Sequence, residues 1–178
     1  MPVENERKLL LDTSKSLDLL KQLRKTDCKF YDITQGYLNG AGRIRHVVPH
    51  KPTDVDIEAY WFTYKAKVQG STVEIETQIS THDYQKLFLI VKPWLIKTRT
   101  KIQDGAYTWD IDFFRTARQG AIYLAMAEVE MPEFETETPD TLDILKPYAL
   151  KWIENGDKRF NNKNLCNPKQ VLKHLASI

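Results

Sequence analysis

Cysteine is nearly missing from this chain: Cys28 and Cys166 are the two in 178 residues. With no CxxC step and no Cys/His cluster, they exclude a disulfide framework and a structural zinc site, and they point to a reducing compartment. His46, His50, His82 and His174 show no ligand spacing either. The N-terminus lacks the basic start and apolar run of a signal peptide. No stretch reaches the roughly 18 consecutive apolar residues that span a bilayer. The sequence therefore reads as cytoplasmic, with no membrane partner. A surplus of one charge is lacking too. Lys and Arg number 26 against 24 Asp and Glu, a formal net charge of +2, so no global field argues for nucleic acid. No repeat, low-complexity tract or linker divides the chain, and residues 1–178 read as a single domain with a sizeable core.

What is present is alternation. Val3 to Leu11, Cys28 to Leu38, Gly42 to Val47, Glu58 to Lys67, Thr72 to Ile79, Leu95 to Ile102, Tyr107 to Phe113 and Ile122 to Met131 each place apolar residues on one face and polar residues on the other, as a strand does. Asn39-Gly40-Ala41-Gly42, Gln69-Gly70-Ser71 and Asp104-Gly105 supply turns. Helices are expected after Ser14, where Leu19, Leu20 and Leu23 form a stripe, and after Ser80, ended by Pro93. A third is expected after Asn167-Pro168, with Val171, Leu172 and Leu175 inward. The acidic, Thr- and Pro-rich segment from Glu133 to Asp143 reads as a loop leading to a helix near Thr141 to Leu145, interrupted by Pro147.

The polar faces sort by sign. Arg43/Arg45, Lys65/Lys67 and Lys97/Arg99/Lys101 are basic; Glu74/Glu76, Asp110/Asp112 and Glu128/Glu130 are acidic. The first strand mixes both, with Glu4, Glu6 and Lys8 on one face and the carboxylates about 7 Å apart. An open antiparallel sheet with one wet face would pair such charges across strands for little gain each. Eight strands also suffice to close a barrel, and like charges lining a lumen repel unless a ligand of matching, divided charge lies there. That ligand is a polyanion with a divalent metal. Hard oxygen donors favour Mg2+ or Mn2+, magnesium or manganese.

The same residues resemble the CYTH domain of the triphosphate tunnel metalloenzymes. The resemblance starts at Glu4-x-Glu6-x-Lys8. It continues in order through Gln35-Gly36-Tyr37-Leu38, Arg43-Ile44-Arg45, Thr63-Tyr64-Lys65, Glu74-Ile75-Glu76, Lys97-Thr98-Arg99, Trp109-Asp110-Ile111-Asp112-Phe113 and Ala127-Glu128-Val129-Glu130, and ends at Gly156-Asp157-Lys158-Arg159-Phe160. It implies an α+β fold: an eight-stranded antiparallel barrel, or tunnel, with a charged lumen and helices packed outside. It implies metal-side carboxylates at Glu4, Glu6, Asp112, Glu128 and Glu130, phosphate ligands at Lys8, Arg43, Arg45, Lys65, Lys97, Arg99 and Arg159, and catalytic roles for Glu4, Glu6, Lys8 and Glu76. Asp110 departs from a frequent Glu, Phe160 from a usual Tyr, and residues 132–154 from the common pattern. The implied activity is metal-dependent hydrolysis of inorganic triphosphate to pyrophosphate and phosphate, by a monomer or homodimer acting on a small molecule. An adenylate cyclase of class IV type, a thiamine triphosphatase, a nucleotide triphosphatase and a non-catalytic polyphosphate-binding module are the alternatives.

Overall fold

The structure, a computed structural model, describes residues 5–68 and 71–177. Val3 and Glu4 at the head of the first expected strand, and Gln69 and Gly70 of one expected turn, lie outside the described residues. The elements run β1 (Glu6–Leu11), α1 (Ser16–Leu23), β2 (Phe30–Tyr37), β3 (Gly42–Pro49), β4 (Ala59–Val68), β5 (Ser71–Gln78), α2 (Thr81–Phe88), β6 (Trp94–Asp104), β7 (Tyr107–Arg115), β8 (Ile122–Glu130), β9 (Ala149–Ile153) and α3 (Pro168–Leu175). Local chemistry sets their ends. The Ser80 hydroxyl accepts from the Asp83 N–H at 3.0 Å and caps α2, and Asn167 caps α3 by accepting from the Gln170 N–H, with Pro168 next in line where a missing N–H costs nothing.

All strands belong to one antiparallel sheet, in the order β5-β4-β3-β2-β6-β7-β8-β1-β9. The expected barrel had eight strands and no edges. The sheet has nine, and among the described residues no ladder joins β5 to β9. The reason lies at β1: one edge pairs with β8 and the other is taken by β9. Residues 141–145 form no helix. A short 3-10 turn at Lys146–Tyr148 carries Pro147 at its start and feeds directly into β9.

Two cores lie on opposite faces of the sheet. On the outer face, Leu9, Leu11, Trp109, Ile111, Phe113 and Val129 bury against Leu19 and Leu23 of α1 and against Leu145 and Tyr148. Burial of each such side chain contributes about 1.5 to 3 kcal/mol. On the inner face, Leu10, Phe114, Leu124 and Met126 pack against Phe160, Leu165 and Val171. By the period of two, these inner residues share a face with Lys8, Asp112 and Glu128. The terminal segment with α3 therefore sits on the charged side of the sheet, not outside as expected, and fills one end of it. A smaller cluster sets Tyr84 of α2 and Val91 against Ile44. No helix among the described residues is long and apolar enough to cross a membrane.

Candidate functional site

The inner face encloses a cavity of about 600 Å³. Its wall runs from Glu74 and Glu76 on β5, near one edge of the sheet, to Glu6 and Lys8 on β1, near the other, so the sheet curls far enough to bring its two ends to one space. Among the described residues, eight cationic and six acidic side chains line it, and the cations are in excess although the whole chain is nearly neutral.

The charges form two clusters. In the first, Lys8 Nζ donates to Glu6 Oε1 at 2.5 Å and to Glu128 Oε1 at 2.8 Å. Register sets this up: Lys8 faces Glu128, Glu6 faces Glu130, and Asp110 faces Glu128 from the other side. Arg99 forks onto Asp112, with Nε to Oδ1 at 2.7 Å and Nη2 to Oδ2 at 2.6 Å, and reaches Glu128 Oε2 at 3.3 Å. It also donates to Asp110. Beneath it, Lys97 Nζ donates to Asp112 Oδ2 at 2.7 Å and lies 5.4 Å from the Phe114 ring centre. In the second cluster, Arg43 reaches Glu74 Oε1 and the Thr63 hydroxyl, each at 3.2 Å. Arg45 donates to Glu76, whose Oε2 accepts from Thr63 at 2.7 Å. Lys65 stands 3.5 Å from Glu74.

Burial and pairing shift these groups. Burial works against the Asp112 charge, yet Arg99 and Lys97 outweigh it and hold the carboxyl well below its ordinary value. Glu128 is lowered in the same way, Lys97 and Lys8 overcoming its burial. Burial opposes the Lys8 charge too, and Glu128 and Glu6 reverse it, so the ammonium titrates above its ordinary value. For Lys97, burial and the adjacent Arg99 charge prevail and push it down.

The structure thus gathers Glu6, Lys8, Arg43, Arg45, Lys65, Glu76, Lys97, Arg99, Glu128 and Glu130 around one cavity. Two expected residues among the described ones are not gathered, and a third is not described. Glu4 lies outside the described residues. Arg159 is turned away: its guanidinium forks onto Asp157, with Nη2 to Oδ2 at 2.7 Å, and it is half-exposed at a separate hollow. A neighbour two residues away supplies the acceptor that a phosphate was expected to supply. Asp112 is 0% exposed, and both its oxygens accept from Arg99 and Lys97, so it stands behind the wall as their counter-ion.

Among the wall residues that sequence reading left without a role are Gln35, Tyr37 and the Asn161-Asn162-Lys163 turn. Alternation along β2 could have found the first two. Nothing local marks the turn, whose place depends on the inner core that anchors Phe160 and Leu165.

Several wall atoms lack partners. Arg43 Nε and Arg45 Nε are buried N–H donors without an acceptor, and Asn162 Oδ1 is a buried acceptor without a donor. Two neighbouring guanidinium groups that each keep a spare donor call for an anion, since an unmet buried donor costs about 1 to 3 kcal/mol. For a metal, the available donors are hard carboxylate oxygens, which fit Mg2+ or Mn2+ in kind. Glu130 has no cationic partner among the described residues and stands opposite Glu6. No three acidic or imidazole side chains among the described residues already converge as a metal-binding group, and Glu6 and Glu128 would have to loosen from Lys8 to contribute.

The inorganic triphosphatase of Acetivibrio thermocellus is 30% identical to this chain over 112 residues. This similarity supports the resemblance of the sequence to the CYTH, or triphosphate tunnel, family. The alignment with that relative covers 61% of this chain and 66% of the relative, just under two thirds of its length. No family model matches the chain. Among solved structures, a candidate adenylate cyclase from Bacillus halodurans is 15% identical, with a TM-score of 0.45 over 72% of this chain and 80% of its own. A conserved protein of unassigned function from Pyrococcus furiosus is 14% identical, with a TM-score of 0.42 over 81% of this chain and 84% of its own.

Proposed function

We propose that the charged cavity binds inorganic triphosphate together with Mg2+ or Mn2+ and hydrolyses it to pyrophosphate and phosphate, the curled sheet serving as a tunnel. The observation that carries this reading is the pair of buried, acceptor-less Nε donors on Arg43 and Arg45, side by side on one wall of a cavity with a surplus of cations. Triphosphate offers a row of oxygens that could satisfy both. The named activity of the Acetivibrio thermocellus relative agrees with it.

In this reading Arg43, Arg45 and Lys65 hold one end of the phosphate chain, and Lys8, Lys97 and Arg99 hold the other. Lys8, Arg43, Arg45 and Lys65 each exchange a carboxylate partner for a phosphate oxygen, Asp112 stays behind Lys97 and Arg99 as their counter-ion, and the surplus of cations offsets part of the phosphate charge. Glu6, Glu128 and Glu130, with Glu4, are the residues that would hold the metal once Lys8 turns to the substrate. A bound divalent ion offsets phosphate charge and makes a bound water more acidic. Glu76 lies between Arg43 and Arg45 and keeps a carboxylate at hand to orient the attacking water, while Lys8 offsets the charge that builds on the leaving group.

The test is a side-by-side assay of inorganic triphosphate, thiamine triphosphate and ATP with Mg2+ and with Mn2+, each product identified. Phosphate released fastest from inorganic triphosphate is expected. Cyclic AMP from ATP would assign a cyclase instead, and tight triphosphate binding without turnover under either metal would leave a binding module.

A further inference from the structure

A second hollow, of about 420 Å³, opens where β2 begins and β3 ends, and it shares no lining residue with the charged cavity. Its volume is in the range that holds small organic ligands. The turn after α1 contributes Arg24, the start of β2 and the residue before it contribute Phe30 and Lys29, and the loop after β3 contributes His50 and Lys51.

The hollow is held in shape. The His50 N–H donates to the Phe30 carbonyl at 2.8 Å. Asp56, on the far side of the loop, accepts from the Tyr31 hydroxyl at 2.9 Å and pairs with Lys29 at 3.1 Å. The His50 ring stacks on Phe30 with centroids 6.0 Å apart and planes 30° from parallel. Its Nε2 stands 3.1 Å from Asp32 Oδ1, which is itself fixed by the Thr98 hydroxyl at 2.9 Å. Two aromatic rings are thus locked beside the space. The Arg24 guanidinium lies 6.0 Å from the Phe30 ring centre. Asp32 and Asp56 are spent on the bonds that shape the wall. Neither Arg24 nor Lys51 has a carboxylate partner among the described residues, and Asp27 is the one acid on the wall without a cation of its own.

A rigid aromatic plate flanked by two uncommitted cations suits a planar ring that carries an anion. A ring stacks on the plate, and a guanidinium takes a phosphate through two parallel N–H bonds. We propose that this hollow binds a nucleoside monophosphate, its base on the open face of the His50 ring, which buried Phe30 backs, and its phosphate between Arg24 and Lys51. This assignment does not rest on triphosphate hydrolysis in the other cavity.

The experiment is calorimetric titration of the full chain with AMP, adenosine and inorganic phosphate. Wild type and the variants Lys51→Glu, His50→Ala and Arg45→Glu are compared, with folding checked by circular dichroism. AMP should bind at least 10-fold tighter than adenosine or phosphate. Lys51→Glu, at an exposed position, should weaken AMP by 10-fold or more, as should His50→Ala. Arg45→Glu, in the charged cavity, should leave AMP affinity within 2-fold. The proposal is overturned if wild type shows no heat with millimolar AMP, or if phosphate alone binds as well as AMP. It is also overturned if affinity survives Lys51→Glu and His50→Ala but is lost in Arg45→Glu.

Discussion

Lys8 stands opposite Glu128 across the β1–β8 ladder, and its ammonium bridges Glu128 at 2.8 Å and Glu6 at 2.5 Å. One cation therefore keeps two carboxylates together on the wall of the cavity. Lys8→Ala leaves them facing each other with Glu130 alongside. It should lower the turnover of inorganic triphosphate by about 100-fold or more, the usual cost of losing one charge-stabilising donor. The fold should persist with a loss of about 1 to 3 kcal/mol. Phosphate-release kinetics with a urea titration of the same samples check both halves, and a variant with wild-type turnover would remove Lys8 from the mechanism.

Asp112 plays a different part. It is 0% exposed and its two oxygens serve Arg99 and Lys97, the latter only 2% exposed. Asp112→Asn leaves buried Lys97 without its counter-ion and Arg99 with Asp110 and Glu128 alone, a change that costs about 3 to 5 kcal/mol. Asp110→Asn, at a more open position, should cost less. Urea midpoints measure this; equal losses in the two variants would contradict the supporting role given to Asp112.

Acid should act through the same groups. Asp112, Glu128 and Glu76 all titrate below their ordinary values in the folded chain, because neighbouring cations and, for Glu76, the Thr63 hydroxyl outweigh burial. A carboxyl lowered by folding contributes stability that is fully present above its unfolded pKa of roughly 4, and that stability is lost as pH falls further toward the folded pKa. Unfolding free energy should hold steady from neutrality to about pH 5 and then decline. In Asp112→Asn the decline should be shallower by one proton's worth of slope. A parallel acid limb in wild type and variant would show that Asp112 is not lowered.

Sequence alone carried the face assignments a long way. Alternation put Lys8, Arg43, Arg45, Lys65, Lys97, Arg99, Glu128 and Glu130 on polar faces, and pairing across strands brought those faces to one cavity. Alternation cannot say what covers a face. The stripe around Val171 says that α3 must bury one side, and Phe160 and Leu165 that their segment must bury too. Only the shape of the curled sheet decides that they fill its inner end. β9 was missed for a related reason. Its five residues follow Pro147 and include exposed Leu150 and Lys151, a weak local signal, and its existence depends on the open edge of β1 over a hundred residues away. Arg159 shows the limit of a motif: a local acceptor, Asp157, holds it first.

Gly36 lies between Gln35 and Tyr37, both on the cavity wall, and its lack of a side chain lets Val91 close over the strand. A Cβ added there would stand 2.4 and 2.9 Å from the two Val91 methyl carbons, closer than carbon atoms approach. Val91 has little room to yield, since it is 6% exposed and packed with Ile44 and Tyr84. Gly36→Ala should therefore destabilise by about 1 to 3 kcal/mol. Val91→Ala alone loses buried methyl groups, at about 1 to 2 kcal/mol. Together they should cost less than their sum by about 1 kcal/mol or more, because the smaller residue clears the space the new methyl needs. Denaturation of the four proteins in the cycle measures that coupling. Additivity within about 0.5 kcal/mol would mean that the strand shifts to absorb the methyl, and then Gln35 and Tyr37 should shift with it and binding of triphosphate should weaken in Gly36→Ala alone.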